Sequence, residues 1–490
     1  MENNLILGLD IGSSSVRAAL YDMEGGMVPE TLVKNERSLS ATGDGGSEID
    51  AEIALRQVVA TIDDVMRKPL ARKGRIEFVA QSAFWHSLVG VDSKGKPTTK
   101  VLSWADTRSR DYVPLLRKRF DENAMHSRTG ARFHSSFWPA KLLWLRKESP
   151  DAFARTDLWL SFSDFVALRL FGIAATSLSM ASGSGLLDIR TAEWNSKLAA
   201  FLAVRPGALP LVSRGSYTFY LSDKFAKRWP RLRESQWFPA IADGAANNIG
   251  VGCVKRTRAA LMIGTSGAMR VAFRGEPPPK LPPGLWCYRI DEARVIIGGA
   301  LSDGGGLYAW LKQTFSLTDD KDSEIWKREP DSHGLTFMPF LAGERSTGYH
   351  ENARGAVVGL SASTDVTDIA RAALESVAFR FAEIFEQLTE VSRPRELIAS
   401  GGAVESSPAW TQMIADVLGR DLVVPKAGET SMRGAVLLAL ETTGRIKKIE
   451  DVPTPDGKVF KADRSRKAIY AAARKRHQET YRLLIDRERS

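Results

Sequence analysis

A two-lobed α/β architecture is predicted by three features of the chain: its length, a glycine hairpin that occurs twice, and apolar strands interspersed with periodic helices. At 490 residues the chain exceeds what one hydrophobic core supports, so two large domains are expected. The stretch "LILGLDIGSSSVRAALYD", Leu5 to Asp22, carries the second feature. Its first strand ends near Asp10 and a Gly/Ser turn follows. "VRAALYD" then alternates Val16, Ala18 and Leu20 against Arg17, Ala19 and Tyr21, as a strand returning beside the first. This is not the P-loop, which needs a lysine after its second glycine and a helix behind it. "ALMIGTSGAMRVAF", Ala260 to Phe273, repeats the arrangement about half a chain later, and the Ile-Gly-Ser/Thr-Ser cores align.

Gly12 and Gly264 supply turn conformations that a side chain would penalise. Ser13, Ser14 and Ser15 in one copy, and Thr265 and Ser266 in the other, offer hydroxyls beside backbone N–H groups, an anion-binding concavity. An ordinary hairpin turn explains either copy alone. The repetition, with an acid ahead of the first turn, favours two lobes that grip one polyphosphate in a shared cleft.

Between the hairpins, residues 5 to about 105 mix strands with an amphipathic helix, and "FVAQSAFWHSLVGVDSKGKP" reads as two strands and a turn. Residues 115 to 240 are mostly helical with loops, and a second strand-rich region begins near Val251. "RGEPPPKLPPG" reads as a rigid surface connector. "TDVTDIARAALESVAFRFAEIFEQL" places Leu374, Val377, Phe381, Ile384 and Leu388 on one helical face, a core-packing pattern. "SSPAWTQMIADVLGR" is a helix with Ser407 as N-cap, Pro408 in its first turn and Gly419 past its end. Before it, "IASGGAVESS" runs from a strand through Gly401 and Gly402, a turn on which a nucleotide base or ribose fits sterically.

Composition narrows the class. With 43% hydrophobic and 26% charged residues the chain is ordinary for a soluble globular protein, and no apolar run nears the roughly 18 residues of a membrane span. "MENN" lacks the basic start of a secretory signal, and Cys253 and Cys287 have neither metal nor redox spacing. A cytoplasmic protein without structural zinc is expected. Net charge is +10, and residues 451–490 hold eleven Lys/Arg against six Asp/Glu. That segment reads as a solvated terminal helix in preference to a nucleic-acid or membrane binder. A basic protein also suits anionic ligands.

Two aspartates are candidates for chemistry. Asp10 could hold Mg²⁺ directly or through water. Asp243, in "AIADGAANNIGVG", could orient and deprotonate an attacking hydroxyl, and equally fits an Asx turn or helix N-cap. Trp85 and His86 offer an apolar face with a hydrogen-bonding tip, suited to a polyol, although a lone strand histidine is more often structural. In "SWADTRSRD", Arg108 either pairs with Asp106 or meets an anionic substrate near Trp104. No Ser-His-Asp or Cys-His arrangement can be assigned from spacing.

From Leu5 to about Gly444 the chain resembles the FGGY carbohydrate kinases, which implies the ribonuclease H-like fold of actin, hexokinase and Hsp70 with a central nucleotide cleft. The opening stretch is similar to the family's first phosphate motif, "LMIGTSGAMRV" to its second, and "SGGAVESSPAWTQMIADVLGRDLVVPKAGETSMRGAVLLAL" to its adenosine segment. The resemblance implies an ATP site formed by Asp10, Gly12, Ser13, Ser14, Ser15, Arg17, Gly264, Thr265, Ser266, Gly305, Gly401, Gly402 and Ala403. It implies Asp243 as catalytic base, Asp10 and Asp243 on the Mg²⁺ side, and Trp85, His86 and Asp243 at the substrate.

Within the family, "FWHSLVGVDSKGKPTTKVLSWADTRS", "SLSMASGSGLLDI", "WCYRIDEARVIIGGALSDGGGLYAWL" and "PFLAGERSTGYHENARGAVVGL" are most similar to gluconate kinases. This implies ATP-dependent phosphorylation of D-gluconate on its terminal hydroxyl. Departures occur at Gly-Ser-Ser-Ser with Arg17, where the family commonly has Gly-Thr-Thr-Ser and a lysine, and at "ARFHSSFW". A kinase for another sugar or polyol, xylulose for example, and a non-catalytic nucleotide-dependent regulator are the alternatives. The expected organisation is an N-terminal kinase domain at 1–250, a C-terminal one at 251–450 and a basic helical tail at 451–490, with a homodimer as the family-level expectation. Arg108, Arg128, Arg132 and Arg345 are all open as partners of a substrate carboxylate.

Overall fold

The computed structural model describes residues 4–426 and 428–486. Met1–Asn3 of the "MENN" start, and the last four residues of the basic segment, lie outside them. The alternating apolar pattern of the opening becomes a hairpin of β1 (Asn4–Ile11) and β2 (Ser15–Tyr21), with Leu7, Leu9, Val16, Ala18 and Leu20 fully buried. β3 (Val33–Glu36) extends it, and α1 (Ala51–Met66) starts at Asp50, whose carboxylate accepts from Ile53 N at 2.8 Å. β4 (Arg75–Ala83) lies parallel to β1, followed by β5 (Gln236–Trp237) and β6 (Ile241–Ala242), both parallel to β4. The path through this six-stranded sheet is β5-β4-β1-β2-β3, with β6 also on β4. Short helices and two-stranded pieces fill residues 110–232, and α2 (Asp243–Gly250) follows β6 directly.

The second hairpin, β7 (Arg258–Ile263) and β8 (Gly267–Arg274), rebuilds the first. β9 (Trp286–Arg289) and β10 (Arg294–Leu301) add antiparallel strands, and α3 (Gly305–Thr314) follows them. α4 (Val366–Val391) is the predicted long helix, and its five periodic apolar residues are all fully buried. Its start carries a reciprocal cap between Asp365 and Asp368. β11 (Glu396–Ser400) runs parallel to β7, and α5 (Pro408–Leu418) is capped as expected, with Ser407 Oγ accepting from Trp410 N and Gly419 at φ 61°. A one-turn helix, Gly402–Ser406, stands between them, where the sequence suggested a bare turn. β12 (Leu422–Pro425), α6 (Thr430–Thr442) and β13 (Gly457–Phe460) follow. This sheet has seven strands ordered β9-β10-β8-β7-β11-β12-β13. In both lobes an antiparallel hairpin is flanked on its first strand by a parallel neighbour.

The lobes share material. Met432, Val436 and Leu440 of α6 belong to the first lobe's core, and α6 crosses α2 so closely that a Cβ on Gly434 would overlap Ala246 O. The basic C-terminal segment is built into the second lobe: β13 pairs with β12, and α7 (Lys467–Leu484) buries Tyr470, Ala473 and His477. Its cations meet the protein's own acids, Arg474 on Glu386 and Arg476 on Asp331. No helix among the described residues is long and apolar enough to cross a membrane.

Candidate active site

The site forms where the ends of β1, β4 and β6 meet, the usual place for ligands in parallel α/β sheets. Register sets Asp10 between Ser82 of β4 and Arg17 of β2. Ser82 Oγ donates to Asp10 at 2.6 Å. Asp10 is buried and its carboxyl is pushed up to about 6, first by burial and further by the charge of Asp243, against the Ser82 hydrogen bond. Two carboxylates that repel one another are the hard oxygen donors a Mg²⁺ ion takes, and a cation would relieve that repulsion. The pair therefore fits the metal.

Asp243 is the first residue of α2, and Ala242 occupies the cap position, so the N-cap alternative does not hold. Its Oδ1 accepts from Gly244 N at 2.7 Å. The half-buried carboxyl is pushed up by burial, opposed by the Arg270 guanidinium, the Gly244 and Trp85 backbone N–H groups and Arg345. A Cβ on Gly244 would lie 2.6 Å from Trp85 Cζ3 and 3.2 Å from Arg270 Cζ, so only glycine lets α2 start there.

Each phosphate-type turn closes on itself. Gly12 N donates to Ser15 O at 2.9 Å, and Gly264 N to Ser266 O at 3.0 Å. Ser13 is half-buried, Ser14 exposed and Ser15 buried. Arg17 bonds Ser15 Oγ and pairs with Glu429 at 3.1 Å, which ties the first turn to the chain entering α6. On the second turn, Gly305 N donates to Gly264 O at 2.8 Å, and Gly304 and Gly306 N both donate to Thr265 O. A Cβ on Gly305 would lie 2.6 Å from Gly264 O and 3.0 Å from Ala403 Cβ. Gly401 takes φ 101°, and a Cβ there would meet Ile263 O at 2.6 Å. A Cβ on Gly402 would meet nothing within 4 Å. Gly264, Thr265, Ser266, Gly305, Gly401, Gly402 and Ala403 are thus brought together, with open space beside Gly402.

Trp85 and His86 differ from the sequence expectation in one respect. Trp85 is buried and its indole N–H donates to Ser179 O at 3.0 Å, so it offers no donor to a polyol. His86, at φ 67°, places Nδ1 2.5 Å from Gly183 O and leaves Nε2 facing Arg345. Its ring is held neutral, first by burial and then by Arg345. Aromatic rings from both lobes enclose the pair: Trp286 and Tyr288 pack on Trp85 at 5.7 and 5.1 Å, and Phe137 on His86 at 4.9 Å. These rings and Arg270 escaped the sequence reading; the alternation in "WCYRI" was the available signal for Trp286 and Tyr288. Of the four open arginines, Arg108 is bound to Asp106 and Glu48, each at 2.6 Å, Arg128 to Asp188 at 2.7 Å, and Arg132 to Glu122 at 2.8 Å. Elsewhere Asp331, His333 and Glu375 gather three possible metal ligands, but Arg476 and Arg371 already neutralise the two carboxylates.

Residues 5–229 match the N-terminal domain of the FGGY family of carbohydrate kinases, and residues 259–442 match its C-terminal domain. The chain belongs to the FGGY carbohydrate kinase family. A gluconokinase of Bacillus subtilis is 27% identical over 471 residues, covering 93% of this chain and 91% of the relative. A xylulose kinase of Lactococcus lactis is 26% identical over 456 residues, covering 91% and 89%. A gluconate kinase structure from Lactobacillus acidophilus superposes with a TM-score of 0.90 at 26% identity, over 99% of this chain and 98% of that one. A ligand-bound xylulose kinase from the same organism gives 0.90 at 26%, over 98% of each. As an FGGY kinase with the two-lobed fold of these enzymes, the chain is an ATP-dependent phosphotransferase acting on a small sugar-type acceptor.

Proposed function

We propose that this FGGY kinase transfers the γ-phosphoryl group of ATP to the terminal hydroxyl of D-gluconate, giving 6-phosphogluconate. The observation that carries this reading is the charge around Asp243: the guanidinium groups of Arg270 and Arg345 face it, and neither forms an ion pair with a carboxylate among the described residues. Guanidinium groups that no carboxylate pairs leave a place for the charge of an acidic acceptor.

In this reading Asp243 accepts the proton of the attacking hydroxyl as the bond to phosphorus forms. The Gly244 N–H holds one carboxylate oxygen and so aims the other. Asp10, fixed by Ser82, would hold Mg²⁺ together with Asp243. Bound there, the metal would neutralise charge developing on the transferred group. The Ser13–Ser15 and Thr265–Ser266 turns bind the phosphates, and Gly401–Ala403 faces the adenosine. The aromatic rings around Trp85 exclude water that would otherwise compete as acceptor. The test is to incubate the enzyme with Mg·ATP and gluconate and locate the phosphate by two-dimensional ³¹P–¹H NMR. Phosphorus coupled to the C6 protons supports the reading; phosphorus on another carbon, or no phosphorylated sugar acid, refutes it.

A further inference from the structure

Arg345 is unlike the three other arginines that the sequence left open. Each of those already holds a carboxylate, whereas the partners of Arg345 are neutral: Nη2 lies 3.4 Å from His86 Nε2, and the guanidinium carbon 5.5 Å from the centroid of Trp104. The tautomer of His86 follows from its other contact. Gly183 O can only accept, so Nδ1 carries the proton and Nε2 presents a lone pair to Arg345. One N–H of the guanidinium is thereby oriented without neutralising its charge, and the remaining donors are left for a ligand. The half-buried cation has given up part of its hydration, feels the charge of Asp243 and pairs with no carboxylate among the described residues, an arrangement that an anionic ligand would complete.

The direction of the substrate follows from the second cation. Arg270 is 5% exposed, and its Nε and Nη1 have no hydrogen-bond partner. It packs beside Gly244, at the reacting end of the pocket, whereas Arg345 stands among His86 and Trp104 on the substrate wall. With its carboxylate held at Arg345, an acid would have only its hydroxyls to offer Asp243.

We infer that Arg345, held by His86 and Trp104, receives the carboxylate of the acidic sugar and so selects both the substrate and the end that is phosphorylated. The inference rests on the sugar-acid reading above. Planar, paired donors match a carboxylate better than a lysine ammonium does.

The test compares gluconate with D-glucitol, the same carbon chain with a neutral hydroxymethyl group in place of the carboxylate, on the wild type and on Arg345→Ala, Arg345→Gln and Arg345→Lys. For the Ala and Gln variants, kcat/KM for gluconate should fall about 10- to 100-fold, the loss of a charge-assisted hydrogen bond. The gluconate-to-glucitol ratio of kcat/KM should fall about tenfold or more, Lys should be intermediate, and added methylguanidinium should partly restore that ratio in Arg345→Ala. Should Ala fail to fold, the Gln and Lys ratios decide. Equal losses on both acceptors, or an unchanged ratio, overturn the role of Arg345 while leaving gluconate as substrate. A wild type that does not prefer gluconate to glucitol overturns the sugar-acid reading, and this inference with it.

Discussion

Asp243 and Gly244 act as a unit, because the glycine both donates to the carboxylate and leaves room for Trp85 and Arg270. Asp243→Asn keeps the shape and loses the proton acceptor. Turnover on gluconate should therefore fall about 10²- to 10⁴-fold with KM for gluconate and ATP within a few-fold. Steady-state kinetics that leave kcat within tenfold of wild type would remove Asp243 from the base role. The hairpin that carries the first candidate residues was legible in the chain. Asp10, Gly12 and Ser13–Ser15 stood out because a hairpin is a local pattern and its turn residues are read in order. The arginines were separable only in part: Arg108 had Asp106 two residues away as a readable partner, whereas Asp188 reaches Arg128 from a distant part of the chain and nothing local sets Arg345 apart. Arg270 was missed for the same reason: it lies on a strand, and its nearness to Asp243 appears only after the lobes pack.

Among the elements, the long helix α4 and the capped helix α5 follow their apolar periodicity and end signals closely, as strong local patterns do. The C-terminal helix α7 is the instructive difference. Its run of Arg and Lys suggested a solvated helix, yet Tyr470, Ala473 and His477, at spacings of three and four, form a narrow buried face that the charges hide. His477 packs on Phe379, and burial holds its ring down to about 3, below the ordinary value near 6.5. The folded state thus binds the proton more weakly than the unfolded one. Its contribution to stability is complete above about pH 6.5 and is lost as pH falls towards 3. Between pH 7 and pH 5 the loss is about 2 kcal/mol. His477→Leu should flatten the fall in Tm over that interval, measured by thermal unfolding in matched buffers. A variant whose Tm falls as steeply as wild type would contradict the burial of a neutral His477.

At the scale of the whole molecule, the internal repeat proved the most informative signal, because each hairpin seeds a sheet with a parallel strand on its first member. The crossing of α6 into the first lobe was not legible, since it follows a strand of the second sheet in sequence and its apolar residues Met432, Val436 and Leu440 do not say which sheet they pack against. That crossing and the Arg17–Glu429 pair join the two halves beside the first glycine turn. The central claim is that the site so assembled is a kinase for an acidic sugar. ADP release with Mg·ATP, measured across gluconate, xylulose, ribulose, glycerol, erythritol and no acceptor, tests it most directly. The account predicts release with gluconate far above every other acceptor and above the blank. Faster release with xylulose or another neutral acceptor, or release that ignores the acceptor, would contradict it.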